Sequence, residues 1–209
     1  MPLRIGSVLD VGVLPDEKSS PSAGETTERA LMMHVAGGNA AAFRQLTERH
    51  TPLVHALAWR LLGDAAEAED VVQEAFVKLW VNAKGWTPTG GGLGGWLRRV
   101  ATNACLDRLR RRRFVSDEAA PERADEAPTA DAMIDAERRR AAVTAAIQAL
   151  PDRQRAAIVL TYHEGVSNAE AAAILGVGVK AFESLLVRAR QALTRALAGE
   201  GFLGGGEGA

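Results

Sequence analysis

The chain has 209 residues with 25 Lys+Arg against 26 Asp+Glu, so its net charge of −1 carries no global excess that would mark a polyanionic or polycationic partner. Apolar residues at 47% and charged residues at 24% exclude wholesale disorder, and no apolar run approaches the roughly 20 residues of a membrane-spanning helix. Alanine dominates the apolar count while aromatics make up only 5%, a mixture that favours closely packed helices over a sheet and predicts an all-α fold.

Residues 1–25 combine prolines, glycines and serines without a sustained period, which predicts a mobile leader. They lack the apolar stretch of a secretory signal, and Asp10, Asp16, Glu17 and Glu25 argue against an organellar one; a cytoplasmic protein without membrane insertion is expected. Three helices follow, over Thr26–Ala36, Asn39–Leu62 and Asp64 to about Lys84. Asn39 is a natural N-cap, and Asp64 with Glu67 three residues on forms an acidic variant of the capping box. Leu46, Leu53, Leu57 and Leu61, flanked by Val54, Ala58 and Leu62, give the buried stripe of the second helix, where Pro52 is a candidate kink. In the third, Ala68, Val71, Val72, Ala75, Phe76 and Leu79 face the core. Val77 and Val81 fall on the opposite side among Asp70, Gln73 and Glu74, and apolar side chains rimmed by acids suggest a docking surface for a basic partner.

The segment Gly85–Gly95 (GWTPTGGGLGG) is too rich in glycine for regular structure and predicts a loop. A fourth helix runs from about Gly95 through Arg113. Its Arg98, Arg99, Arg108 and Arg110 to Arg113, less Asp107, give about +6, enough to attract a phosphate backbone by counterion release. Trp86 and Trp96 bracket the loop, and aromatics beside arginines can stack on unpaired bases, although either tryptophan is equally compatible with a core position. Arg99, Asn103, Asp107 and Arg110 share one face of this helix, with Asp107 suited to pair with Arg110 or Arg111. Residues 114–136 are acidic, about −7 when Glu137 is included, and read as a solvated flexible linker.

The second domain, 137–198, also reads as four helices. Val143, Ile147 and Leu150 mark the first, and Pro151 opens the second, which ends near Gly165. Ser167 and Glu170 form a capping box for a short third helix ending at Leu175-Gly176, and a long last helix runs from about Val179 to Ala198. A short capped helix, a glycine turn and a longer helix are helix-turn-helix grammar, with Phe182, Leu186, Ala189 and Leu193 holding the last helix down. On its other face Lys180, Ser184, Arg188 and Gln191 line up, residue types that contact phosphates and base edges in a major groove. Residues 199–209 form a glycine-rich tail.

No catalytic constellation competes. His34, His50, His55 and His163 are scattered, the single Cys105 falls among apolar helix positions, and the glycine loop lacks the lysine and preceding strand of a phosphate loop, so no enzyme activity, cofactor or metal is expected.

The string DAAEAEDVVQEAFVKLW (64–80), the helix WLRRVATNACLDRLRRRR (96–113), the acidic linker and ALPDRQRAAIVLTYHEGVSNAEAAAILGVGVKAFESLLVRARQAL (149–193) together resemble bacterial sigma factors of the extracytoplasmic-function group, a branch of the sigma-70 family. The resemblance covers about 30–198 and implies two helical domains, sigma region 2 over 26–113 and sigma region 4 over 137–198. It implies that Asp70, Gln73, Glu74 and Val77 contact the clamp helices of core RNA polymerase. It further implies that Trp86, Trp96, Arg98, Arg99, Asn103, Arg110 and Arg111 serve the minus-ten element and melting, with flipped-out nontemplate bases captured at the loop and arginine helix. Lys180, Ser184, Val187, Arg188 and Gln191 would read the minus-thirty-five element, the same domain meeting the polymerase flap. The implied function is promoter recognition and transcription initiation for a stress regulon, with an anti-sigma factor as a further partner that clamps the two domains together. A sigma-like mimic that only sequesters an anti-sigma factor is the alternative, although it would have little need of the arginine helix. The chain departs from the family at Glu183 and Leu185, where basic residues are frequent; an acid there repels phosphate but can accept from a cytosine amino group.

Overall fold

The computed structural model describes residues 23–88, 91–116 and 133–198. The expected leader at 1–22, most of the linker at 117–132 and the tail at 199–209 lie outside the described residues. Every regular element among the described residues is helical: α1 (Ala23–Ala36), α2 (Ala40–Leu62), α3 (Ala65–Asn82), a 3-10 turn (Ala83–Gly85), α4 (Gly92–Ser116), α5 (Met133–Gln148), α6 (Asp152–Ile158), a π turn (Val159–His163), α7 (Asn168–Ile174) and α8 (Val179–Ala198).

The caps form where the local chemistry puts them. The Asn39 side chain accepts from the Ala42 amide at 3.0 Å, and Asp64 accepts from the Glu67 amide at 2.9 Å, each satisfying a first-turn donor that has no intrahelical partner. α2 continues through the exposed Pro52, and Leu46, Val54, Leu57, Ala58, Leu61 and Leu62 are buried along it; Leu53 is partly exposed. α1, α3 and α4 pack around this helix to make the first domain. In the second, α8 is the central element, with α5, α6 and α7 against it.

Several boundaries differ from the sequence reading. Gly92–Gly95 were expected in the loop but form the first turn of α4, because Leu93 and Leu97, one turn apart, are both buried, at 1% and 0% exposed. Tertiary burial there outweighs the roughly 1 kcal/mol per residue by which glycine disfavours a helix. α1 begins three residues before Thr26, α4 runs on to Ser116, and α5 begins at Met133, each extending into segments expected to be leader or linker. Once a helix is nucleated, adding a residue at its end costs little. The helix expected to run from Pro151 toward Gly165 changes character at Val159, where five residues wind as a π turn and the Glu164 amide donates to the Val159 carbonyl at 3.1 Å.

The C-terminal end of α2 is where the halves join. Gly63 adopts a left-handed conformation, φ 68°, and returns its amide to the Trp59 carbonyl at 2.8 Å. The three carbonyls that follow would be orphans of the helix end. Arg60 O accepts from Gln148 Nε2 at 2.8 Å, Leu61 O from Arg155 Nη1 at 2.5 Å, and Leu62 O from Arg112 Nη1 at 3.3 Å. Two of these three donors come from the second domain. The domains, expected to be loosely tethered, are therefore docked, with α2 meeting α5, α6 and the π turn, and α4 meeting α6 and α7.

Candidate nucleic-acid and partner interfaces

On α3 the period of the helix turns Val77 and Val81 outward, 61% and 71% exposed, beside the exposed Asp70 and Gln73. Trp80, 41% exposed, rests its ring edge-on against Phe43 with centroids 5.0 Å apart. Glu74 is half-buried and shared between Lys78 Nζ and Arg108 Nη1, both at 2.8 Å. Burial works against its ionisation, but the hydrogen bonds from Lys78 and Arg108 outweigh it and hold the carboxyl below the usual carboxylate range. Glu74 thus anchors α3 to α4, while Asp70, Gln73 and Val77 remain open to a partner.

The arginine helix α4 is only partly a free charge surface. Arg108 goes to Glu74; Arg112 reaches Glu67 at 2.6 Å and Asp64 at 3.7 Å; Arg113 pairs with Asp152 of the second domain. Asp107 pairs with Arg110 at 2.9 Å, the intrahelical partnership expected from the sequence. Arg99 and Arg111 have no ion pair among the described residues, Arg99 half-buried and Arg111 exposed. Asn103 is half-buried on the same helix, and Trp86 and Trp96 pack against the core while each keeps part of its surface exposed. Arg98 points elsewhere: its Nε donates to Glu164 Oε2 at 3.2 Å and its Nη1 lies 3.7 Å from Glu170 Oε1.

Cys105 is fully buried on the inner face of this helix, and burial pushes its thiol up to about 12, which disfavours the reactive thiolate at neutral pH. Among the described residues no cluster of His, Cys, Asp and Glu is arranged to hold a metal, and no helix is long and apolar enough to cross a membrane.

In the second domain Ser167 accepts from the Glu170 amide at 3.2 Å to start α7, and Gly176, φ 63°, reverses the chain after it. Val177 returns its amide to the Ala172 carbonyl at 3.0 Å, closing the turn. α8 then buries Phe182, Leu186 and Ala189 and presents Lys180, Glu183, Ser184, Val187, Arg188 and Gln191 to solvent. Val187 is 43% exposed, an apolar side chain in a polar row. The Ser184 hydroxyl donates to the Lys180 carbonyl at 2.9 Å. Leu185, at a position where the resemblance led one to expect a base, is partly buried against the core, which accounts for its apolar character.

Sequence reasoning missed the residues that join the domains: Gln148, Arg155, Glu164 and Glu170. Their partners lie far along the chain, 66 residues for Arg98–Glu164 and 94 for Leu61–Arg155, so no local pattern carries them. The only available signal was the capping position of Glu170, which explains its amide and not its side chain.

Residues 46–115 match the family Sigma-70 region 2, and residues 140–193 match Sigma-70, region 4. The ECF RNA polymerase sigma factor SigE of Mycolicibacterium smegmatis is 38% identical over 158 residues, 74% of this chain and 61% of its own length. SigM of Mycobacterium tuberculosis, also an ECF RNA polymerase sigma factor, is 38% identical over 167 residues, 80% of this chain and 82% of its own. Among solved structures, CnrH in complex with the cytosolic domain of CnrY is 32% identical with a TM-score of 0.60, covering 83% of this chain and 98% of that one. The sigma factor RpoE in complex with the anti-sigma factor NepR from Bartonella quintana is 30% identical with a TM-score of 0.59, covering 75% and 96%.

Proposed function

Because the chain belongs to the extracytoplasmic-function group of RNA polymerase sigma factors, we propose that it binds core RNA polymerase through α3, melts the minus-ten element with α4 and the loop before it, and reads the minus-thirty-five element with α8. What supports the reading is the coexistence, on one chain, of an acid-rimmed apolar face on α3 and an exposed polar row on the second helix of a helix-turn-helix. Asp70, Gln73 and Val77 make the polymerase contact, with Glu74 holding α3 in register against α4.

Melting proceeds without ATP. Each base leaving the duplex forfeits stacking of about 1.4 kcal/mol per step, and a base captured on an aromatic or guanidinium plane recovers about 1–3 kcal/mol. Trp86, Trp96, Arg98, Arg99, Asn103, Arg110 and Arg111 supply those planes, hydrogen bonds and phosphate contacts. Upstream, Lys180 and Ser184 anchor phosphates, Val187 meets a thymine methyl, and Arg188 and Gln191 reach base edges. An anti-sigma factor is the regulatory partner; the similar CnrH and RpoE structures are complexes, the latter with a named anti-sigma factor.

Run-off transcription with purified core polymerase on genomic fragments tests this. The chain should co-purify with core and direct initiation from discrete start sites. Failure to bind core, together with the absence of any transcript, sinks the reading.

A further inference from the structure

The junction between the domains covers part of the surface assigned to melting, and it does so with acids. Glu164 leaves the π turn with its side chain only 6% exposed and lies between two arginines of the first domain, 3.2 Å from Arg98 Nε and 3.9 Å from Arg60 Nη1. Glu170, on α7, stands 3.7 Å from the other side of the same Arg98 guanidinium. Gly91, just before α4, is held too: a Cβ on it would come within 2.9 Å of Glu170 Oε1, so its backbone lies directly against that carboxylate. Two carboxylates thus occupy the place beside Arg98 and the loop where a nucleic-acid phosphate would have to sit.

The geometry points to an autoinhibitory latch: in the free chain Glu164 and Glu170 act as a phosphate mimic on Arg98, and the second domain must lift off α4 and the Gly91 loop before nontemplate DNA can enter. The inference rests on the assignment of Arg98 and the loop to melting and adds a regulation of that site built from the chain's own residues.

The energetics suit a reversible device. Buried ion pairs are close to break-even, since desolvation of the charges offsets most of their attraction. Separation of the domains rehydrates both partners and strands neither. The junction also carries polar contacts: Gln148 and Arg155 on main-chain carbonyls of α2, and Arg113 with Asp152. Such interfaces allow relative domain motion. Glu170 Oε1 is buried without a hydrogen bond, and the pair it makes with Arg98 is long. A DNA phosphate, able to approach to hydrogen-bond distance, competes well against it.

Buried Cys105 leaves introduced thiols free to be labelled selectively, so dyes at the exposed positions Glu48 and Thr194 in the full chain (E48C/T194C) report the distance between the domains. Energy transfer in the free chain should be high and, because the Glu164 pairs are buried, change little with salt. E164Q/E170Q should lower transfer at all salt concentrations and tighten binding of a single-stranded minus-ten oligonucleotide about tenfold, a shift of about 1.4 kcal/mol. Circular dichroism reports folding. Should removal of the buried Glu164 charge unfold the chain, Q148A/D152N, which cuts the junction away from Arg98, carries the same expectation. Unchanged transfer in a folded variant overturns the latch. Lowered transfer without tighter oligonucleotide binding overturns the masking of Arg98. Absence of initiation by the wild-type chain with core polymerase overturns the functional reading instead, and the energy-transfer result still decides whether the acids hold the domains together.

Discussion

Glu183 stands exposed on α8 in the same row as Lys180, Ser184 and Arg188, and no ion pair among the described residues neutralises it. Beside a phosphate this carboxylate is a liability; opposite a cytosine amino group it is an acceptor worth about 1–3 kcal/mol of discrimination. Selection from randomised upstream elements should yield a cytosine preference at one position, and Glu183→Ala should erase that preference while leaving the positions read by Arg188 intact. An unchanged base profile would leave Glu183 as an exposed surface charge on α8 and nothing more. His50 is the second informative residue, buried at 8% exposure with Nε2 2.9 Å from Glu28 Oε1. Burial lowers its pKa below 6.5, against the pull of Glu28 and with the help of Arg49 and Arg98. The unfolded chain therefore binds the proton more readily, and stability falls as pH drops below about 6.5. Thermal melts from pH 7.5 to 5 should show this slope, and His50→Gln should flatten it; His163, whose pKa burial and Arg60 also lower, leaves a residual slope. Residue placements with local causes were legible in the sequence, as the Asp107–Arg110 pair and the buried Cys105 illustrate. Glu74 was not, because its second partner, Arg108, lies 34 residues away.

Helices were read well where their signals are local. The caps at Asn39, Asp64 and Ser167 and the left-handed Gly176 follow from side-chain chemistry within three or four residues. The start of α4 was missed because Leu93 and Leu97 need the rest of the core to give them value. The most demanding element is the end of α2, and Arg155 is its main support. Arg155 is 7% exposed, its guanidinium donates to the Leu61, Gln148 and Leu150 carbonyls, and burial lowers its pKa. Arg155→Ala leaves buried carbonyls without partners, each costing about 1–3 kcal/mol where water cannot replace the donor. A total loss of about 3 kcal/mol is expected by chemical denaturation, with core binding through α3 retained in the folded fraction. A loss below about 1 kcal/mol would show that water reaches these carbonyls when the guanidinium is gone. On α3 the opposite outcome is expected. Val77→Arg touches no packed neighbour, so the melting temperature should hold while affinity for core polymerase drops at least about tenfold, as for a truncated interface anchor; equal affinity in a pull-down or titration would remove α3 from the interface.

At the scale of the whole molecule, the net charge of −1 is a cancellation between about +6 on α4, about +5 over 138–198, about −7 in the acidic segment between them and about −5 over the rest of the chain. The fold cancels further. Of the seven arginines on α4, Arg98, Arg108, Arg112 and Arg113 are committed to carboxylates elsewhere in the chain, leaving Arg99, Arg111 and the surface pair of Arg110 with Asp107 facing solvent. Sequence alone counts all seven as ligands for phosphate; tertiary structure reduces the number to about three. Each phosphate neutralised on a single strand contributes about −0.7 to the slope of log affinity against log salt. Single-stranded minus-ten DNA should therefore bind the free chain with a slope near −2, whereas a fully available helix would give about −5. With Glu164 and Glu170 replaced by glutamine, Arg98 becomes available and the slope should steepen by about one further contact. A slope of −5 for the unmodified chain would mean that DNA pulls the structural arginines from their carboxylates, and that the ion pairs binding α4 to its neighbours yield as readily as surface pairs do.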